Sequence, residues 1–248
     1  MATFVLVHGA MHGGWCWREV GRILRADGHV VHTPTLTGQG DRRRSLTPDV
    51  GVATHIHDVS ELLWFEDLHD VHLVLHSYAG VLAGPVAEAS GDRLASVVLL
   101  GAFVADPGQC LLDVEPAATA ARYRELAASA GDGWRVPASE RFLDQWGVTD
   151  PALRALVGPR LTDFPLSCAT DPVVFDPAAR DGLPTAYVRH TAPALASLAA
   201  SERAASERGW DVHELACGHD MMLEAPEPVA DLLTAWSDRT GPVAGDSA

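Results

Sequence analysis

Ser77 stands in Val74-Leu75-His76-Ser77-Tyr78-Ala79-Gly80, a stretch that reads as a strand running straight into a helix with the serine at the junction. A serine on such a turn projects its hydroxyl from the backbone and attacks an acyl carbon once a base takes its proton. The elbow pattern G-x-S-x-G carries Leu75 and Ala79 in its two glycine positions. Ala79 costs little, whereas the isobutyl group of Leu75 is expected to widen the turn while leaving Ser77 accessible in a pocket. The chain has 12 histidines to supply the base. His219, in Cys217-Gly218-His219-Asp220, follows the last apolar run and precedes the last helical stretch, and serine first, histidine last is the chain order that goes with such an elbow.

Upstream, His8-Gly9-Ala10-Met11-His12-Gly13-Gly14-Trp15 forms a glycine-rich loop after the first strand. Its backbone comes close to a ligand, and a free amide there points at developing negative charge. The Ala10 amide, with that of Tyr78 after the serine, is the candidate oxyanion hole. A phosphate cradle is disfavoured, because neither G-x-G-x-x-G nor a Walker spacing is present. His8, His12 and His76 read as loop-stiffening hydrogen-bonding groups near the pocket. The pairs His55 with His57 and His69 with His72 lack an obvious third ligand, so neither a metal nor a cofactor is called for.

Six apolar runs separated by amphipathic segments position these groups, at Thr3 to His8, His29 to Thr33, Val71 to His76, Leu94 to Ala102, Thr185 to His190 and Asp211 to Leu215. The alternation predicts an α/β fold, with a mostly parallel sheet of about six strands flanked by helices. Ile56, Val59 and Leu63, and again Val229, Leu232, Leu233 and Trp236, recur at helical spacing and face the sheet. The rhythm breaks over residues 106–183, which hold Tyr123, Trp134, Phe142, Trp146 and Phe164. That segment is read as a helical cap over the carboxyl ends of the strands, where open α/β sheets bind ligands. The core then comprises 1–105 and 184–240, and 241–248 form a flexible tail.

Composition narrows the partners. With 18 basic and 33 acidic residues the formal charge is −15, which repels nucleic acid and anionic membranes. All 18 basic residues are arginine, so a Schiff-base lysine is excluded, and the Ala- and Arg-rich usage hints at a bacterial coding sequence. Cys16, Cys110, Cys168 and Cys217 form no C-x-x-C pair and read as reduced thiols. The apolar start is too short for a signal peptide and no run approaches a membrane span, so a soluble, cytoplasmic protein is expected.

The segments FVLVHGAMHGGWCW (Phe4 to Trp17), HSYAG, VLLGAFVADP (Val98 to Pro107) and GHDMMLEAPEP (Gly218 to Pro228) together resemble the α/β-hydrolase superfamily. The nearest resemblance is to the branch of plant methyl-ester esterases and hydroxynitrile lyases with bacterial relatives. It covers nearly the whole chain and is weakest in the cap. The resemblance implies an α/β-hydrolase fold, Ser77 as nucleophile, His219 as base, and the Ala10 and Tyr78 amides as oxyanion hole. The lyases of that branch carry a threonine and a lysine where Gly9 and Asp220 stand, so cyanohydrin cleavage is disfavoured.

The family's triad acid follows the strand that here ends at His190, yet Thr191-Ala192-Pro193-Ala194 offers no carboxylate. Some members place the acid one strand earlier, which nominates Asp106, with Asp171, Asp176 and Asp220 as weaker alternatives. The leading reading is a serine-type hydrolase acting on a carboxylic ester, thioester or lactone of a small, fairly apolar molecule. A cyclase, lyase or retro-aldol enzyme of bacterial secondary metabolism is the alternative, and a catalytically silent binding protein the third. The sequence does not show the oligomeric state; relatives are often dimers, and a homodimer is considered by that analogy alone.

Overall fold

The structure, a computed structural model, describes residues 1–240. Six strands form its sheet: β1 (Thr3–Val7), β2 (Val30–His32), β3 (Val71–His76), β4 (Leu94–Leu100), β5 (Thr185–His190) and β6 (Asp211–Leu215). All neighbours are parallel, in the order β2-β1-β3-β4-β5-β6. The apolar runs predicted this directly. A parallel sheet covered on both faces needs strands apolar on both faces, and β1, β3 and β4 are buried almost throughout.

Successive side chains of a strand point to opposite faces, which divides the core in two. Phe4, Leu6, Val74, Val98 and Val188 pack against Val20 and Leu24 of the helix Arg18–Ala26 and Val229, Leu233 and Trp236 of the helix Pro226–Thr240. Val5, Val7, Leu73, Leu75, Val97 and Leu99 lie on the other face with Val59 and Leu63 of the helix Val52–Phe65 and Val86 of the helix Ala83–Ser90. Each fully buried leucine or valine stabilises such a core by about 1.5–3 kcal/mol.

Between β4 and β5 the chain forms a mostly helical insertion, with the helices Ala117–Ala130, Arg141–Gln145 and Pro151–Val157 and an antiparallel ribbon of Arg135–Val136 with Phe164–Pro165. Phe142 and Phe164 are buried, and the Tyr123 and Phe142 rings meet edge to face at 6.0 Å. The insertion is tied to the core where Gln39 Nε2 donates to the Asp163 carbonyl at 2.8 Å and the Gly40 amide to Thr162 Oγ1 at 3.0 Å. The expected tail, 241–248, lies outside the described residues. Among those described, no helix is long and apolar enough to cross a membrane.

Candidate active site

Ser77 follows directly on β3 with φ of 54°, in the left-handed region that costs a non-glycine residue about 1–3 kcal/mol. The turn is held because the Ser77 carbonyl accepts the Phe103 amide at 3.0 Å while residues 77–82 coil into a tight helical turn. The sharp elbow therefore survives Leu75, whose side chain points away into the core and is fully buried. The close approach falls on other glycines. A Cβ on Gly9 would lie 2.7 Å from Ser77 Cβ, and one on Gly80 would lie 2.4 Å from the Phe103 carbonyl oxygen. The expected widening at Leu75 is thus corrected: the space the turn needs is supplied by Gly9 across the loop and Gly80 one residue beyond the pattern.

His219 reaches Ser77 from the loop after β6, with Nε2 at 2.9 Å from Ser77 Oγ. Two backbone pairings past the strand ends lock this loop beside the one after β5. The Thr191 amide donates to the Leu215 carbonyl and the Ala192 amide to the Cys217 carbonyl, both at 3.0 Å. This brings His190, the last residue of β5, to the far side of the ring, where its Nε2 lies 3.2 Å from His219 Nδ1. His190 Nδ1 in turn lies 2.7 Å from the Pro193 carbonyl oxygen.

A carbonyl only accepts, so the tautomers follow in order. His190 Nδ1–H donates to Pro193, its Nε2 lone pair accepts Nδ1–H of His219, and Nε2 of His219 is left as the acceptor facing the Ser77 hydroxyl. Burial holds His190 below the ordinary imidazole range against the opposing pull of the Pro193 carbonyl, so the ring is neutral. His219 is held well below that range by burial, with His76 and His190 adding to it and Asp220 opposing. At neutral pH the ring beside Ser77 is a free base.

Asp106 lies elsewhere. Its carboxylate accepts from Arg208 Nη2 at 2.6 Å and Arg180 Nη2 at 3.1 Å. Burial would raise this carboxyl, but the two arginines outweigh it and keep it below its usual range. The nomination of Asp106 as partner of His219 is corrected accordingly: two guanidinium groups claim it, and the imidazole of His190 takes the position. Of the weaker alternatives, Asp176 accepts the Ala178 amide as the N-cap of the helix Pro177–Asp181, and Asp171 lies beside Gly51.

Asp220 is fully buried next to His219 in sequence, yet its Oδ2 faces His12 Nε2 at 3.4 Å. Burial would raise the Asp220 carboxyl, but His12, with His76 and His219, brings it down to about 2. Burial likewise opposes charge on His12, and Asp220 overrides it and raises His12. The result is a buried His12–Asp220 pair behind the base. The sequence names Asp220 as a weaker candidate acid and His12 as a loop-stiffening group without pairing them, and it leaves His190 out because a carboxylate is sought after β5. The signal present was a histidine as the last residue of that strand.

The remaining loop histidines are bonded in place. His8 Nδ1 donates to the Gly9 carbonyl at 2.8 Å and its Nε2 accepts the Leu36 amide at 3.0 Å, while His76 Nε2 donates to the His219 carbonyl at 2.9 Å. The Met11 amide is taken by Gln39 Oε1 at 2.8 Å and the Gly14 amide by Thr35 Oγ1 at 3.0 Å. Ala10 and Tyr78 line one narrow cavity, with little free space, together with Ser77 and His219, walled by Phe103, Leu111, Tyr123, Trp146 and Leu195. The insertion walls one side of it, with the Trp146 carbonyl accepting the His219 amide at 3.4 Å. Among the described residues no group of three or more His, Cys, Asp or Glu side chains is arranged to hold a metal.

Residues 4–232 match the profile of a family described as the alpha/beta hydrolase family. The carbendazim hydrolyzing esterase of Nocardioides sp. (strain SG-4G) is 33% identical over 95% of this chain and 99% of its own. Salicylic acid-binding protein 2 of Nicotiana tabacum is 35% identical over 42% of this chain and 40% of its own length. Among solved structures, an extracellular alpha/beta-hydrolase from a Paenibacillus species superposes with a TM-score of 0.84 at 22% identity, covering 97% of this chain and 99% of that one. The last finding corrects the cytoplasmic expectation. A chain of the same architecture over its whole length is extracellular, so a compartment does not follow from the fold or from reduced thiols.

Proposed function

From the premise that this chain belongs to the alpha/beta hydrolase family, we propose that it is a serine esterase cleaving the carboxylic ester, thioester or lactone of a small, fairly apolar molecule. The observation that carries this reading is the 2.9 Å approach of His219 Nε2 to Ser77 Oγ on a left-handed elbow inside a narrow, largely apolar cavity. The name of the Nocardioides relative, a carbendazim hydrolyzing esterase, supports a compact substrate. The net charge of −15 favours a small-molecule partner over nucleic acid.

In this mechanism Ser77 Oγ attacks the acyl carbon while His219 Nε2 takes its proton, and the amides of Ala10 and Tyr78 hold the oxyanion. His219 then returns the proton to the leaving alcohol, and water activated by the same nitrogen releases the acyl group from Ser77. His190 positions the base by fixing its tautomer but brings no negative charge. The charge that supports the imidazolium is the buried Asp220, acting through space.

Hydrolysis of p-nitrophenyl acetate with a pre-steady-state burst tests the reading, with both Ser77→Ala and His219→Ala expected to abolish the burst. A second reading, proton-transfer chemistry without an acyl intermediate, is favoured by the neutral His190 in the acid's place. Retention of turnover in Ser77→Ala with loss in His219→Ala would select it. The all-arginine composition supports a bacterial origin, and secondary metabolism suits that second reading. Exposure of Trp64 and Phe65 at the end of the helix Val52–Phe65 supports a homodimer.

A further inference from the structure

The cavity around Ser77 also holds a carboxyl group that ester hydrolysis leaves unused. Glu115 is only 8% exposed, at the end of the short helix Leu111–Val114, and lines the cavity with Ser77 and His219. Its Oε2 is buried with no hydrogen-bond partner. Its neighbours there are Phe103, Leu111, Tyr123, Trp146 and Leu195. Burial pushes its carboxyl up to about 7, with only the Ser197 hydroxyl opposing. Ser197 and Gln145 line an outer cleft, and Gln145 borders the inner cavity as well, so one side chain stands between that cleft and the space shared by Glu115 and Ser77.

A buried acceptor with no partner marks a place where a ligand supplies the missing donor. Aromatic faces such as those of Tyr123 and Trp146 favour a cation beside them, and a chain of charge −15 draws cations toward it. The outer cleft, with Arg122 and Arg141 beside Asp144, is of mixed charge, so the preference for a positive group is assigned to the inner site alone.

We propose that Glu115 is the specificity residue of this site, receiving an N–H donor, in its strongest form a protonated amine, so that the preferred substrates are esters of nitrogen-bearing small molecules. This rests on the reading of Ser77 as nucleophile in the same cavity. Glu115 binds and orients the substrate and takes no part in bond making.

Calorimetric titration of the intact protein at pH 8.5, where Glu115 is ionised and the amine still protonated, with benzylammonium and with benzyl alcohol, ligands of one shape that differ in the donor, tests the proposal. Benzylammonium is expected to bind about tenfold more tightly, as a charge-assisted hydrogen bond to a buried carboxylate requires, and to protect Ser77 from a fluorophosphonate. In Glu115→Gln, which keeps the shape, the preference is expected to disappear. Equal binding of the two ligands by the wild-type protein, as when water alone partners Glu115, overturns the proposal even if the variant does not fold. A preference that survives Glu115→Gln overturns it too. A calorimetric preference with Ser77 inert to the fluorophosphonate would instead fault the esterase reading.

Discussion

His219 Nδ1 donates to His190 Nε2 at 3.2 Å, so a neutral imidazole stands behind the base that faces Ser77. Its effect on catalysis is tautomer control, since the fixed direction of the Pro193 carbonyl bond passes through both rings. His190→Ala frees His219 to place its proton on Nε2, where it cannot accept from serine. The expected loss is roughly 10²-fold in kcat with KM little changed, short of the larger losses seen when a triad carboxylate is replaced. Asp106→Asn, by contrast, disturbs only the pairing with Arg180 and Arg208 and is expected to leave kcat within about twofold, because its carboxylate does not reach the imidazole. A larger kcat loss for Asp106→Asn than for His190→Ala would reverse this assignment.

The pH profile carries the same claim in another form. His219 works as a base only when neutral, and its surroundings hold its proton affinity well below the ordinary imidazole value of 6.5. Lowering the pH from 8 through 6.5 is therefore expected to leave kcat/KM for a neutral ester unchanged, with the acid limb appearing well below 6.5. Asp220→Asn removes the anion that opposes this shift and is expected to move the limb to still lower pH. A limb at or above 6.5 in the wild-type protein would contradict the buried setting of His219.

Stability should report the pair behind the base. Asp220 titrates at about 2 in the folded chain against 3.8 for the free group, so its contribution is fully present above pH 4 and is lost as pH falls toward 2. His12 is raised, so its contribution is present below 6.5 and is lost as pH rises through its folded value. Removing one partner of a buried ion pair costs about 3 kcal/mol, or roughly 6–12 °C in Tm for a chain of this size. Asp220→Asn is expected to show that drop in a calorimetric melt at pH 6, below the ordinary imidazole value and above the carboxylate's.

Much of the fold was legible because burial on both sheet faces writes itself into a parallel strand as an unbroken apolar run. The structure's strands fall within the six runs, from Thr3–Val7 to Asp211–Leu215. Ser77 and His219 were legible because each sits at the carboxyl end of such a run, where topology alone brings them together. Partnerships set by distant charges were not. Arg180 and Arg208, 74 and 102 residues from Asp106, decide where that carboxylate points, and nothing local announces them. The elbow misled for a steric reason, since the glycine that needs to lack a side chain is set by the Phe103 carbonyl arriving from beyond β4. His190 was overlooked because a neutral ring is not what a search for a triad acid seeks.

The central claim is that Ser77 Oγ is a nucleophile activated by His219, and the most direct test is intact-protein mass spectrometry after exposure to a fluorophosphonate at pH 7.5. The account predicts one adduct per chain, mapped to Ser77, absent in Ser77→Ala and strongly slowed in His219→Ala. A folded wild-type protein left unmodified, or an adduct on any other residue, would contradict it.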